Sequence, residues 1–279
     1  MAGQPNQVFF PGSLGELFNA WTRFPDGVPF AGGTELIRGQ RRANLSLPKN
    51  ILALSEIEEL SRMSRTERYL EIGAMVKLRD IMRLGKIVPE ALTSSLEGIA
   101  GPQLRGLATI GGNICGAGRR LDCSAPLIAL DAVYELRNAQ SGRWISAARF
   151  SQGSVPGSAL GKQELLTRVR IPLDQWDFSA YRKFGDRDSG AEGGVLIFIM
   201  KNRKNILTGL RVVFAGECVL RDQNSEASLT GKRLPLSHRD AQDFLGYWRE
   251  TLADRERPSP LIRSEILGYI ESLIYNLAD

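Results

Sequence analysis

The spacing of hydrophobic positions differs between the first 173 residues and the rest of the chain. In the first part, short apolar runs typical of strands alternate with segments whose apolar residues recur at helical spacing. Strands are predicted at residues 28–31, 50–54, 69–74, 132–136 and 165–171, and helices at 14–21, 77–86, 89–100 and 125–130. Because Pro172 ends the last of these strands, we expect a domain boundary near Leu173.

Two predicted helix starts carry a capping-box signature, in which a serine precedes a glutamate by three residues. Ser13 and Glu16 open the first predicted helix, and Ser55 and Glu58 predict a short helix after the second strand. Both signatures are local, so each predicts where a helix begins and says nothing of the fold around it.

Residues beyond 173 predict strands first and helices afterwards. Apolar runs at 180–184, 195–200 and 206–214 are typical of antiparallel strands, with a polar turn at 201–205 between the last two. Ser237 is expected to cap a helix that ends near Arg249, and a final amphipathic helix is predicted over 261–277. This order of elements favours a second, smaller domain at 174–279.

Composition excludes several classes of protein. The 279 residues are 43% hydrophobic and 24% charged, which is typical of a globular fold. No apolar run approaches the roughly 20 residues of a membrane-spanning helix, and the first ten residues lack a signal-peptide pattern, so we expect a cytoplasmic protein. The net charge of +5 is spread along the chain, which argues against nucleic-acid binding and leaves an anionic small ligand or an acidic partner open.

The cysteines do not form a metal-binding pattern. The chain has three, Cys115, Cys123 and Cys218, and a single histidine, His238. Structural zinc and iron–sulfur sites usually take four ligands, so we expect free thiols and no metal site. Any metal centre in a redox pathway would then lie on another chain.

Two loops centred on Gly-Gly pairs carry the candidate chemistry, at residues 31–36 (AGGTEL) and 108–114 (ATIGGNI). Paired glycines let backbone amides approach a ligand, and consecutive amides in such a turn form an anion-binding concavity. Two such loops could hold a diphosphate from both sides, although each one alone is more often an ordinary turn. Neither loop has the glycine spacing of a Rossmann site or a P-loop.

Together, and in this order, the two loops resemble the flavin subunit of molybdenum hydroxylases, the family of xanthine dehydrogenase, carbon monoxide dehydrogenase and hydroxybenzoyl-coenzyme A reductase. The resemblance covers nearly the whole chain, with further matches at 103–107 (QLRGL), 122–131 (DCSAPLIALD), 164–172 (ELLTRVRIP), 181–187 (YRKFGDR) and 226–232 (EASLTGK). It implies an α+β fold. A vanillyl-alcohol-oxidase-type FAD-binding domain of two subdomains, at 1–173, is followed by a smaller α/β C-terminal domain with an antiparallel sheet, at 174–279.

The resemblance also implies a set of residues for non-covalent FAD bound between the two subdomains. The amides of the first loop would hold the diphosphate; these are Ala31, Gly32, Gly33, Thr34, Glu35 and Leu36. In the second loop the matching residues are Thr109, whose hydroxyl suits a phosphate oxygen, Gly112 and Asn113. Asp122 would accept hydrogen bonds from a ribose or ribityl hydroxyl, Ile99 and Leu166 would line the flavin or adenine, and Lys183 would lie near the flavin ring.

Several of these residues have a purely structural alternative. Asp122 could cap the helix that begins near Ser124, Ile99 and Leu166 could be core residues, and Lys183 could face solvent. The stretch 115–121 (CGAGRRL) departs from the family pattern. Its Arg119 and Arg120 could stabilise reduced flavin or the diphosphate, or simply be solvated.

The implied function is an electron relay. A molybdopterin-binding large subunit would oxidise the substrate, an iron–sulfur small subunit would carry the electrons, and FAD on this chain would pass them to NAD, oxygen or a quinone. Two alternatives stay open: a stand-alone flavin reductase of the same fold, which needs a proton donor that the sequence does not reveal, and a flavin-free scaffold or assembly protein.

Overall fold

The computed structural model describes residues 6–38, 40, 46–116, 120–152, 157, 159–185, 193–253 and 257–277. Backbone contacts divide the chain into two compact units. Unit 1 comprises Met1–Val88, Ile99–Gly118 and Asp131–Leu173. Unit 2 comprises Pro89–Gly98, Arg119–Leu130 and Asp174–Asp279, so two short segments from the first 173 residues belong to it. The assignment of 1–173 and 174–279 as functional domains stays a prediction.

Strands and helices alternate in the first half of the chain, and long strands followed by long helices make up most of the second. The strands are β1 (Gln7–Phe9), β2 (Val28–Phe30), β3 (Asn50–Ala53), β4 (Met63–Arg65), β5 (Tyr69–Gly73), β6 (Val133–Arg137), β7 (Gly142–Ser146), β8 (Leu165–Pro172), β9 (Phe178–Phe184), β10 (Gly194–Arg203), β11 (Ile206–Gly216) and β12 (Val219–Leu220). The α-helices are α1 (Leu14–Arg23), α2 (Thr34–Arg38), α3 (Leu78–Met82), α4 (Glu90–Glu97), α5 (Pro102–Arg105), α6 (Ile110–Ile114), α7 (Ser124–Ala129), α8 (Ala147–Phe150), α9 (Gln223–Leu229), α10 (His238–Ala253) and α11 (Pro260–Tyr275).

Unit 1 contains two sheets of different kinds. A small parallel sheet has the order β1-β3-β2, and a larger antiparallel sheet has the order β4-β5-β8-β6-β7. Helix α1 begins as the capping box predicts, because the Ser13 hydroxyl accepts the Glu16 amide at 3.2 Å. Its buried residues Leu14, Leu17, Phe18 and Trp21 lie at helical spacing and pack into the core of unit 1.

Unit 2 is built on an antiparallel sheet in the order β12-β11-β10-β9. This confirms the antiparallel strands predicted in the second half of the chain. The run from Val195 to Met200 is buried without alternation. Leu196 and Phe198 join the core formed with α10 and α11, while α4 and α7 contact the same strand. A sheet covered on both faces selects a continuous apolar run, because neither face meets water.

Three predicted elements are wrong in their bounds or their caps. Ser55 does not cap a helix; a 3₁₀ turn spans Glu58–Ser61 instead, and its N-cap Ile57 makes no side-chain cap bond. The 3₁₀ turn begins at Glu58 because Ile57 and Leu60 are buried in the core. The helix predicted over 77–86 is only α3, because Lys77 is extended and Gly85 has a φ of +57°. The helix predicted over 89–100 ends at Glu97, and Ala100 follows with a φ of +40°.

Candidate functional site

The first glycine loop connects β2 to α2 in unit 1. Gly33 has a φ of +69°, a conformation that favours glycine, and a Cβ there would lie 2.5 Å from Cζ of the Phe30 ring. Among the described residues, no acceptor lies within hydrogen-bond distance of the amides of Gly32, Gly33, Thr34 and Glu35. All six residues of this loop are partly exposed. The loop therefore presents amide donors that a bound anion can reach.

The second glycine loop forms the start of α6 and does not form the concavity of free amides expected from the sequence. The Thr109 hydroxyl is the N-cap and accepts the Gly112 amide at 3.0 Å. The amides of Ile110 and Gly111 donate to the carbonyls of Val76 and Ala74, and the Asn113 amide donates to the Thr109 carbonyl. Because four consecutive amides are already bonded within the protein, this loop offers a ligand its shape and side chains rather than its amides.

The two loops contact each other within unit 1. A Cβ at Gly32 would lie 2.2 Å from the carbonyl oxygen of Leu107 and 3.2 Å from Cα of Ala108, so Gly32 packs directly on the start of the second loop. At Gly111 a Cβ would meet the Cβ of Ala74 at 2.7 Å. These two glycines are thus required by protein packing.

Gly112 differs from both of these glycines. Among the described residues, a Cβ at this position would lie 2.9 Å from the Thr109 Oγ1 and 3.9 Å from the Ala31 Cβ. A side chain at residue 112 would therefore displace the Thr109 hydroxyl and extend toward Ala31 of the first loop. This is the local feature that best fits a ligand held between the two loops.

The remaining predicted residues of unit 1 differ in their access to a ligand. Ile99 is partly exposed, and its carbonyl accepts the Arg105 Nη1 at 2.8 Å. Leu166 is only 3% exposed and pairs with Leu136 in the antiparallel sheet, which favours the alternative that it is a core residue. Thr109 and Asn113 are also buried. The Thr109 hydroxyl accepts an amide, but its own hydrogen is still able to donate.

Asp122 and Lys183 form an ion pair in unit 2. The Lys183 Nζ lies 2.6 Å from Oδ2 of Asp122, and both side chains are less than one-third exposed. The Asp122 carbonyl accepts the Ser95 hydroxyl at 2.6 Å. Helix α7 has Cys123 as its N-cap, with no side-chain cap bond, so the alternative of Asp122 as a helix cap is wrong. The alternative of Lys183 as a fully solvated residue is also wrong.

The departure from the family pattern at Arg120 has a structural explanation. Arg120 is 7% exposed, and its Nη1 donates to the carbonyl of Glu217 at 2.9 Å, within unit 2. It therefore holds the chain where β11 ends and is not solvated. Arg119 lies outside the described residues.

The cysteines are free thiols in the structure. Burial raises the pKa of Cys115 to about 12 and that of Cys123 further still, so both are neutral at physiological pH. In the described part of the chain, no group of three or more histidine, cysteine, aspartate or glutamate residues is placed to hold a metal ion. Likewise, no described helix is long and apolar enough to cross a membrane.

Lys77 is a residue of this region that sequence reasoning missed. Residues 76–78 pair with 108–110 in a short antiparallel bridge, through the bonds Leu78 N to Ala108 O and Ile110 N to Val76 O, each 3.0 Å. The Lys77 ammonium donates to the Leu107 carbonyl at 3.2 Å. An isolated bridge between Lys77 and Thr109, 32 positions apart, leaves no periodic signal in a sequence, so no pattern could have predicted this contact.

Comparison with known families identifies the class to which this site belongs. The model of the FAD-binding domain in molybdopterin dehydrogenase matches residues 4–174, which include both glycine loops. The chain belongs to this family. It therefore carries an FAD-binding domain of the molybdopterin dehydrogenase kind, and the predicted cofactor and family are confirmed.

Similar proteins agree with this assignment. The nicotinate dehydrogenase FAD-subunit of Eubacterium barkeri is 26% identical over 287 residues, which cover 98% of this chain and 96% of that protein. The carbon monoxide dehydrogenase medium chain of Afipia carboxidovorans is 32% identical over 179 residues, 61% of each chain. Xanthine dehydrogenase 2 of Arabidopsis thaliana is 27% identical over 242 residues, but these are only 18% of its length. The chain thus spans less than a fifth of the xanthine dehydrogenase and aldehyde oxidases that it matches.

Solved structures share the fold over the whole chain. Quinoline 2-oxidoreductase from Pseudomonas putida 86 matches with a TM-score of 0.81 at 19% identity, covering 100% of this chain and 98% of that one. Carbon monoxide dehydrogenase from Hydrogenophaga pseudoflava matches with a TM-score of 0.81 at 22% identity and the same coverage. These matches confirm a mixed helix and sheet fold shared with those two chains.

Proposed function

We propose that this chain works as the flavin subunit of a molybdenum hydroxylase-type complex. FAD bound to it collects electrons that arrive from iron–sulfur clusters of a partner subunit and releases them to NAD, oxygen or a quinone. A molybdopterin-binding partner oxidises the organic substrate. Support comes from the family match and from relatives named as an FAD-subunit and a medium chain.

The FAD diphosphate lies, in this proposal, between the two glycine loops of unit 1. The observation that carries it is the difference between the glycines: a Cβ at Gly32 or Gly111 would meet backbone atoms, whereas among the described residues a Cβ at Gly112 would meet the Thr109 hydroxyl at 2.9 Å and then the Ala31 Cβ at 3.9 Å. The amides of residues 32–35 supply donors on one side of that space, because they have no acceptor among the described residues. The second loop supplies a wall without a side chain at Gly112, behind which the buried Thr109 hydroxyl caps α6.

Asp122 and Lys183 are proposed as further FAD contacts on the strength of the resemblance. Their ion pair holds the ammonium in one place and keeps a carboxylate oxygen available as an acceptor. The role of these residues is to bind and orient the cofactor, which agrees with a chain that transfers electrons rather than transforming a substrate.

The first test is the visible absorption of the purified chain, which should be yellow and release free FAD on acid precipitation. Gly112→Val should weaken FAD binding by roughly tenfold to a hundredfold, because overfilling a packed site costs about 1–3 kcal/mol. Gly268→Val is the matched control, since Gly268 lies in α11 with no heavy atom within 4 Å of its Cβ position. It should keep full FAD occupancy.

Two outcomes would contradict the proposal. A colourless chain that cannot be reconstituted with FAD favours the flavin-free scaffold. A Gly112→Val variant with undiminished FAD affinity removes the diphosphate from the space between the loops, even if FAD binds elsewhere on the chain.

A further inference from the structure

We propose that Lys77 binds the diphosphate of FAD and supplies the positive charge that the two glycine loops lack. The proposal rests on the placement of the diphosphate between the loops. It adds a residue outside both loops, on the segment that joins β5 to α3.

The position of Lys77 follows from backbone geometry. Its own backbone is extended, with φ −72° and ψ 142°, and it pairs with Thr109 through an isolated bridge. The Lys77 Nζ donates to the Leu107 carbonyl at 3.2 Å. That same carbonyl lies 2.2 Å from the position that a Cβ of Gly32 would take. One carbonyl oxygen thus touches both the ammonium and the backbone of the first loop, where the two loops meet.

The electrostatic surroundings of Lys77 leave its charge without a counterion. In the described part of the chain, no carboxylate oxygen lies within 4.0 Å of its ammonium. Asp80 is the acidic residue whose charge acts on Lys77, but its carboxylate pairs with Arg83 at 3.0 Å and with Arg79 at 3.7 Å. Burial lowers the pKa of Lys77, because the ammonium has lost part of its hydration. A partly desolvated ammonium that donates to one neutral acceptor is stabilised when an anion accepts hydrogen bonds from its other N–H groups.

Other basic side chains of this region are held elsewhere. Arg38, at the end of α2, makes two bonds to Glu35, at 3.0 and 2.8 Å. Arg105 donates to the carbonyls of Ile99 and Ala100, both at 2.8 Å. The four bonded amides at the start of α6 are also unavailable. Among these groups, Lys77 is the cation whose bonding leaves two donors for a phosphate.

The test compares three ligands on the full chain stripped of FAD. Lys77→Met removes the charge at similar length and should weaken FAD and ADP binding by about tenfold to a hundredfold, the loss expected for a charge-assisted hydrogen bond. Riboflavin, which has no phosphate, should bind both proteins equally. Lys77→Arg should recover most of the affinity for ADP. Dissociation constants come from flavin fluorescence and, for ADP, from calorimetry.

Arg79→Met is the matched control, because Arg79 is two residues away, half exposed and paired only loosely with Asp80. It should change ADP affinity by less than about twofold. The Lys77 proposal is wrong if Lys77→Met weakens ADP binding no more than Arg79→Met does. It is also wrong if Lys77→Met weakens riboflavin binding as strongly as FAD binding. If Lys77→Met does not fold, Lys77→Gln replaces it. The affinity of the wild-type chain for ADP should fall as the salt concentration rises, and an affinity that does not change with salt would also overturn the proposal.

The same experiment separates this inference from the placement of the diphosphate. If Gly112→Val loses FAD while Lys77→Met keeps it, the loops hold the diphosphate without the lysine. If Gly112→Val keeps FAD, the placement itself has failed. Loss of ADP affinity in both variants supports the two proposals together.

Discussion

Gly32 and Gly111 have no room for a side chain, because the Leu107 carbonyl and the Ala74 side chain occupy the space where a Cβ would lie. Gly33 is needed for a different reason, its left-handed backbone, and Gly112 because a Cβ there would lie 2.9 Å from the capping Thr109 hydroxyl. Substitutions in the two loops should therefore fall into two classes. Those at Gly32, Gly33 and Gly111 act on folding, whereas a substitution at Gly112 presses on the capping Thr109 hydroxyl and also changes the surface that faces Ala31 of the first loop.

At the residue scale, Glu164 offers a prediction about stability and pH. Its carboxylate is 6% exposed and binds Arg143 through two bonds of 2.7 Å, while also accepting the Gly161 amide at 2.7 Å. The hydrogen bond from Arg143 is the main cause that lowers the pKa of Glu164 below its ordinary 4.5. Glu164→Gln should reduce the free energy of unfolding at neutral pH by about 1 kcal/mol, since Arg143 is half exposed and partly screened.

The sign of the pH dependence follows from the direction of that shift. A carboxyl with a lowered pKa stabilises the fold fully above its ordinary value of 4.5 and loses this contribution as the pH falls through the lower, folded value. In urea titrations, wild type and Glu164→Gln should therefore converge below pH 4.5. Glu58→Gln, at an 81% exposed side chain, serves as the control with little effect. A difference that stays constant across this range would contradict the assignment.

At the scale of elements, α11 shows how one face of a helix carries the core of unit 2. Ile262, Ile266, Ile270 and Ile274 recur every four residues and are all buried. Ile270→Ala should lower the free energy of unfolding by about 2–5 kcal/mol, from lost burial and the cavity left behind. Leu261→Ala, at a position 70% exposed on the same helix, should change it by no more than about 0.5 kcal/mol.

Urea unfolding followed by circular dichroism measures both variants of α11. The midpoint of Ile270→Ala should shift while the slope of free energy against urea stays near that of wild type. Equal effects at Ile270 and Leu261 would show that the burial assigned to this face is wrong.

Elements with a strong local signal were predictable from the sequence, and those set by distant contacts were not. The capping box at Ser13 works because Leu17 and Trp21 also point into a core, whereas the identical signature at Ser55 loses to the burial of Ile57. The glycine loops were visible as motifs. The bonding of the second loop was not, because it depends on residues 74–76, more than 30 positions earlier. Lys77 was missed for the same reason.

At the scale of the whole molecule, the two compact units do not follow the chain in order. Residues 89–98 and 119–130 belong to unit 2, although they lie between segments of unit 1. Helix α7 joins unit 2 through an Arg211 Nη1 bond to the Ala129 carbonyl, and the Ser95 hydroxyl binds the carbonyl of Asp122. Which unit a segment belongs to depends on long-range packing, and hydrophobic periodicity along the chain does not reveal such packing.

The final prediction concerns the assembly in which this chain works. The 279 residues contain three cysteines, one fewer than a Cys₄ iron–sulfur cluster requires, so these residues alone cannot supply such a cluster, and the proposed relay places the clusters on a partner subunit. A stable docking surface of that kind buries about 800 Å² on each partner. Affinity capture from native cells should recover a small cysteine-rich chain together with a large molybdopterin-binding chain.

The isolated chain should then behave as a flavoprotein without a substrate of its own. Dithionite should reduce its FAD, because that reaction needs only the cofactor, whereas aldehydes and hypoxanthine-like heterocycles should not be oxidised. Adding the captured partners should restore substrate-dependent bleaching of the flavin, and Gly112→Val should reduce it in proportion to the FAD lost, without preventing capture. Turnover of a specific substrate by the isolated chain at ordinary enzymatic rates would instead identify a stand-alone flavin reductase, since no electron donor on a partner would then be required.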